Sequence, residues 1–214
     1  MISGHDRGAR ICHRLAVDRN DHFENFTIRG TILLDIVPTL VQWQSFGDSK
    51  ASTGTFHWPF LANVDIATSM IKAQGGDVWC RSMIERWAGK DNRSLKSLQA
   101  HGAIEIYSYY MAQDSVIRAS CEDYRAGAEE DIQLQKQDQV SGRKLSIDTL
   151  IIYSHDYLGS RYDVKDIWYQ WSANSSMVSV QGIDGDVGHF IAEEKPEGIA
   201  SAIALFWTGL NDAS

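Results

Sequence analysis

The sequence predicts an α/β protein: a parallel sheet flanked by helices and interrupted by a long helical insert. Three observations lead there. Short apolar runs alternate with amphipathic stretches, the pattern of strands joined by helical crossovers. A segment of about a hundred residues between two of those runs has a different, aromatic-dense texture without strand-like alternation. A polar residue follows each apolar run, and in parallel sheets the active site lies at the C-terminal strand ends.

Taken in order, residues 1–3 are the stub of a strand that leads into Gly4-His5-Asp6-Arg7-Gly8. Residues 7–17 read as a helix, with Ile11, Leu15 and Ala16 on its apolar face and no proline to break it. A long link containing Asn20, Asp21, Asn25 and Gly30 follows. Residues 31–34 (Thr-Ile-Leu-Leu) form a short, partly β-branched run, as expected of a buried parallel strand. The run ends at Asp35, and Pro38 then stops regular structure.

Residues 39–143 read as the helical insert, dense in Trp43, Phe46, Phe56, Trp58, Trp79, Trp87 and Tyr107. Its last stretch, 129–143, is polar and ends in Ser-Gly-Arg, which suggests a linker returning to the sheet. Residues 150–153 and 177–181 are further strands, and 163–171 and 196–210 are helices. The domain expectation is therefore core 1–38, helical cap 39–143 and core 144–214. There is no internal repeat.

Bulk properties narrow the function. The 214 residues fit one domain, or one with an inserted subdomain, and 43% apolar with 22% charged content is that of a globular chain. A net charge of −8 argues against nucleic-acid and anionic-membrane partners, and it does not forbid a local basic pocket for an anionic small-molecule substrate. Three scattered cysteines, Cys12, Cys80 and Cys121, form neither a disulfide framework nor a metal motif. No cofactor is expected. With no run of about 18 apolar residues and no signal peptide, a reducing cytoplasmic location is the expectation. A homodimer is the candidate assembly.

Gly-x-Asp-x-Gly at residues 4–8 matches a strand-to-helix turn that lifts its central side chain clear, with small residues two before and two after it. A plain glycine turn with an N-cap aspartate would give the same five letters. His189, in the loop after the last strand, stands where a base belongs in the chain order nucleophile, acid, base. Asp35 and Asp156 each follow a core strand, and either could orient that base.

The run Gly4-His5-Asp6-Arg7-Gly8-Ala9-Arg10 with His13-Arg14-Leu15 resembles the elbow of haloacetate (fluoroacetate) dehalogenases, α/β-hydrolases related to the epoxide hydrolases. Leu34-Asp35-Ile36-Val37-Pro38-Thr39, His57-Trp58, the run Cys121 to Gly127 and Gly188-His189-Phe190 are similar to the family's later signatures, in the same order. The resemblance implies a partial α/β-hydrolase fold with a helical cap, because the family carries first strands ahead of the elbow. It implies that Asp6 attacks the halogen-bearing carbon and forms an ester. His189 then activates water, and Asp35 orients His189. It assigns Arg7 and Arg10 to the substrate carboxylate, His57, Trp58 and Tyr124 to the halide, and Trp87 to the pocket wall.

A carboxylate nucleophile suits displacement at saturated carbon, because the ester it forms can be hydrolysed at its carbonyl. Arginines offer planar paired donors to a carboxylate. The expected activity is hydrolytic dehalogenation of a short 2-haloacid. The alternatives are an epoxide hydrolase, in which two insert tyrosines polarise the oxygen, and a truncated, non-catalytic remnant of the fold.

Overall fold

The computed structural model describes residues 1–18 and 26–212. Residues 19–25 of the long predicted link lie outside the described residues. In chain order the elements are β1 (Ile2–His5), α1 (Arg7–Asp18), β2 (Gly30–Leu34), α2 (Thr39–Gln44), α3 (Ser49–Gly54), α4 (His57–Ala62), α5 (Val64–Gln74), α6 (Gly76–Trp87) and α7 (Asn92–Leu98). They continue with α8 (Ala103–Met111), α9 (Asp114–Ala128), α10 (Glu130–Ser141), β3 (Asp148–Ser154), α11 (Val164–Gln170), β4 (Val178–Ile183), α12 (Ile191–Glu194) and α13 (Pro196–Asp212).

Contacts divide the chain into two compact units. The first is Met1–Pro38, Ala88–Ser97 and Asp138–Ser214; the second is Thr39–Trp87 and Leu98–Gln137. The cap expected over 39–143 is thus interrupted, and residues 88–97 and 138–143 belong to the first unit.

In the first unit the four strands are all parallel, in the order β1-β2-β3-β4. The inner pair are the two most apolar strands, as burial on both faces requires. All five residues of β2 are buried, as are Thr149 to Ile152 of β3. Side chains alternate between faces. Ile32, Leu34, Leu150 and Ile152 pack with Val187, Ile191, Ile199 and Ala202 from the last loop, α12 and α13. Burying each such aliphatic side chain stabilises by about 1.5–3 kcal/mol. Trp168 of α11 is fully buried and donates its indole N–H to the Ile36 carbonyl at 3.0 Å.

Helix α1 buries a different face from the one expected. Ala9, Arg10, Cys12, His13 and Ala16 turn inward, while Ile11 is 58% exposed. Small residues let the helix approach, and His13 fits edge-on against Trp168 and Trp171, with ring centroids 5.1 and 5.9 Å away. The far end of α1 is tied down by ions. Arg14 pairs with Asp18 and Asp138, and Arg143 pairs with Asp18.

The polar stretch read as a linker is helix α10. Its residues are mostly good helix formers without a strong apolar stripe, so periodicity does not reveal it. It closes with Arg143 N–H donating to the Asp138 carbonyl at 2.8 Å and Gly142 N–H to Gln139 at 3.4 Å, a Schellman cap. The short helix α12 was not anticipated either, because four residues are too few to show a period.

The second unit is helical. Trp58, Leu61, Val64, Ala67, Ile71, Ile117, Cys121 and Tyr124 form its core, from α4, α5 and α9. Gln135 of α10 accepts the Leu40 N–H at 2.8 Å, which anchors α2. Among the described residues no helix is long and apolar enough to cross a membrane.

Candidate active site

The elbow forms where β1 meets α1. His5 pairs with Leu34, and the next residue, Asp6, turns into left-handed backbone with φ 46°. Asp6 N–H donates to the Leu34 carbonyl at 3.3 Å, and its own carbonyl accepts from Arg10 N–H at 3.1 Å, starting the helix. A non-glycine residue held there costs on the order of 1–3 kcal/mol, and such strain clusters at functional sites. A Cβ on Gly4 would lie 2.4 Å from the Gly8 carbonyl group, so only glycine fits before the turn. A Cβ on Gly8 would meet nothing within 4 Å. The expected smallness therefore applies to residue 4 and not to residue 8, since the tight approach is made by the Gly8 backbone.

His189 lies between two carboxylates. Its Nδ1 donates to Asp35 Oδ2 at 2.6 Å, and its Nε2 is 3.5 Å from Asp6 Oδ2. Asp35 is 2% exposed, and its second oxygen accepts the Ser154 N–H at 2.8 Å. The Ser154 hydroxyl donates to the Val187 carbonyl and accepts the Tyr157 N–H at 3.1 Å, which ties the end of β3 to the histidine loop. His5 Nε2 donates to the His189 carbonyl at 2.8 Å. The Tyr157 ring lies 5.6 Å from that of His189. Asp156 is exposed and accepts the Asp186 N–H at 3.0 Å, so of the two candidate acids it is Asp35 that meets the histidine.

The charges are strongly coupled. Burial alone would lower the His189 pKa, but hydrogen bonds and attraction from Asp35 and Asp6 outweigh it and hold the imidazole well above its ordinary 6.5. Burial pushes the Asp6 carboxyl up, yet His189, followed by Arg10 and His5, brings it well below the usual carboxylate range. His5 is lowered, first by burial and then by His189. The Tyr157 phenol is pushed up to about 12, chiefly by burial. The pair thus rests as carboxylate and imidazolium.

Arg7 opens α1 and is partly exposed, while Arg10 is buried with one N–H donated to the Val37 carbonyl at 3.0 Å. Arg10 therefore also braces the loop that carries Asp35. Within the helical unit, the four expected residues gather. His57 lies 4.3 Å from Trp87 and 5.8 Å from Tyr124, and Trp58 lies 5.4 Å from Tyr124, centroid to centroid. The Trp87 indole N–H is buried with no acceptor among the described residues. No group of three or more His, Cys, Asp or Glu among the described residues could hold a metal ion.

Comparisons with known proteins bear on the fold. An α/β hydrolase structure from Nostoc sp. PCC 7120 superposes with a TM-score of 0.82 at 33% identity, covering 96% of this chain and 65% of that one. The chain has the α/β-hydrolase fold. It is 27% identical to a fluoroacetate dehalogenase of Burkholderia sp. over 99% of its length. It is 26% identical to a soluble epoxide hydrolase of Corynebacterium sp. strain C12 over 98% of its length. It spans 64% and 67% of those two relatives, respectively. No family model matches it.

Four residues of this candidate site carry little signal in the sequence. His5 stood inside the elbow pattern, but the pattern constrains only its neighbours. Ser154 closes β3 and Tyr157 follows three residues later, and neither belongs to a motif. Glu194 lies five residues beyond His189, and its side chain accepts only backbone N–H groups, two from the histidine loop and one from distant Gly89.

Proposed function

We propose that the chain supplies the reacting groups of a hydrolytic dehalogenase acting on short 2-haloacids. The observation that carries this reading is the line Asp6, His189, Asp35, with separations of 3.5 and 2.6 Å. The dehalogenase relative supports the substrate class.

In the first step an Asp6 oxygen attacks the carbon bearing the halogen. The carbon–halogen bond breaks, halide leaves with the electron pair, and an alkyl ester of Asp6 remains. The low Asp6 pKa keeps the nucleophile ionised. In the second step His189 Nε2 takes a proton from water, and the resulting hydroxide attacks the ester carbonyl. The acyl carbon–oxygen bond of the ester breaks, the leaving alkoxide takes the proton of the newly formed carboxyl group, and the 2-hydroxyacid departs with Asp6 restored as a carboxylate.

The coupling between the two groups orders these steps. While Asp6 is anionic it stabilises the His189 imidazolium. Esterification removes that negative charge, so the His189 pKa falls and the ring can lose its proton and serve as base. Asp35 keeps Nδ1–H pointed away from the water throughout.

Arg7 and Arg10 are the proposed ligands of the substrate carboxylate. The fixed positive charge is what separates this reading from an epoxide hydrolase, whose substrate needs no cation. The imidazole, indole and phenol cluster of His57, Trp58, Trp87 and Tyr124 has donors suited to a halide, and the buried Trp87 N–H supports that role.

The test is halide release from fluoro- and chloroacetate by the full chain and by Asp6→Asn. Release that needs Asp6 supports the reading. Release that survives Asp6→Asn at the wild-type rate refutes it.

A further inference from the structure

Outside the groups used above, one buried carboxylate among the described residues has no assigned part. Glu194, the last residue of α12, is 3% exposed. Its Oε2 accepts the Gly188 N–H at 2.9 Å and the Gly89 N–H at 3.0 Å, and its Oε1 accepts the Phe190 N–H at 3.2 Å. Gly188 and Phe190 are the residues on either side of His189. We propose that Glu194 is a positioning residue, clamping the backbone on both sides of His189 so that its ring is held between Asp6 and Asp35. The inference rests on the reading of His189 as the base.

Three features support it. A carboxylate taken out of water is costly unless its oxygens are hydrogen-bonded, and here three backbone donors converge on it. Those donors come from two places in the chain, the histidine loop and the segment that begins at Ala88. A Cβ on Gly89 would fall 2.0 Å from the Asp186 carbonyl oxygen, 2.6 Å from Glu194 Oε2 and 2.9 Å from the Gly188 nitrogen, so glycine is required for this approach. The Ser97 hydroxyl makes a second tie, donating to the Glu193 carbonyl at 2.6 Å.

The anchor also complements the bonds on the other side of the loop. His5 holds the His189 carbonyl and Ser154 holds the Val187 carbonyl. Carbonyls are therefore fixed from the sheet edge, and N–H groups from α12. Fixing both kinds of group leaves the imidazole little freedom beyond rotation about its own side-chain bonds, and Asp35 removes that.

The experiment uses the full chain, ¹⁵N-labelled, as wild type, Glu194→Gln and the exposed control Glu197→Gln. In Glu194→Gln one acceptor oxygen becomes a donor. The His189 ring signals should shift and broaden and its Nδ1 proton should exchange faster with water, while those of exposed His155 stay put. With a haloacid, formation of the Asp6 ester should change little. Its hydrolysis should slow by about 10- to 100-fold, the usual cost of misplacing a reacting group by a fraction of an ångström to about 1 Å. Glu197→Gln should do neither. If Glu194→Gln does not fold, Glu194→Asp, which keeps the charge and shortens the reach, is read in the same way. A folded variant whose His189 signals and ester hydrolysis both match wild type overturns the proposal. If the wild type forms no ester with any haloacid, the proposed function fails, and the His189 signals alone still decide the role of Glu194.

Discussion

Asp6 and Asp35 leave adjacent parallel strands at the same rung. His5 pairs with Leu34, and the residue after each turns into left-handed backbone, with φ 46° and 53°. Two strained carboxylates thus stand side by side at one sheet edge, and one histidine reaches both. The equivalence of backbone contrasts with the difference in surroundings. Asp35 is sealed and bonded through both oxygens, whereas the Asp6 side chain is one-third exposed.

That difference predicts separate roles for the carboxylates. Asp35→Asn should lower turnover by about 10²–10⁴-fold, the range that general acid–base catalysis supplies, because the histidine loses the partner that fixes its tautomer. Asp156→Asn should leave turnover near wild type, since Asp156 only caps a surface loop. Steady-state kinetics on folded variants check both.

The coupled pair predicts a dependence of stability on pH. His189 has a folded pKa raised above 6.5, so its contribution is complete below about pH 6.5 and is lost as pH rises through the raised value. Asp6 has a folded pKa depressed below 3.8, so its contribution is present above about pH 4 and is lost as pH falls through the depressed value. The stability that wild type holds over Asp6→Asn should therefore peak between about pH 4 and 6.5 and shrink at higher pH. Buried His13, lowered to about 3 chiefly by burial, acts in the opposite sense below pH 6.5. It acts equally in both proteins and cancels in the comparison. Thermal melts of the two across pH 4–10 measure the difference.

The elbow predicts an asymmetry between its two glycines. Gly4→Ala forces a methyl into backbone and should destabilise by about 1–3 kcal/mol or more. Gly8→Ala adds a methyl to open space on a helix and should be neutral, or stabilising by about 0.4–1 kcal/mol. Denaturant midpoints of the two variants decide.

Much of this architecture is legible in the sequence, for physical reasons. The middles of strands β2 and β3 are buried on both faces, so Ile32 to Leu34 and Leu150 to Ile152 are uninterrupted apolar runs and stand out. Position at the strand ends then points to Asp6, Asp35, Asp156 and His189, and it is the hydrogen bond to His189 that separates Asp35 from Asp156. Helix α10 is hidden because a polar helix carries no periodic stripe. The inward face of α1 is misread because it carries small Ala9 and Cys12 with polar Arg10 and His13, while Ile11 is left outside. Glu194 is invisible because what it holds is backbone, and backbone donors carry no letter. The break in the cap at residues 88–97 follows from contacts such as Gly89 to Glu194, which join positions 105 apart in sequence.

The most direct test of the account is to trap the intermediate. His189→Gln removes the base and leaves Asp6, so the first step should proceed and the second should stall. Incubated with chloroacetate and digested, this variant should show an ester on the peptide that contains Asp6, visible by mass spectrometry, with one halide released per chain. Steady multiple turnover without any adduct, or an adduct on another residue, would contradict the assignment of Asp6.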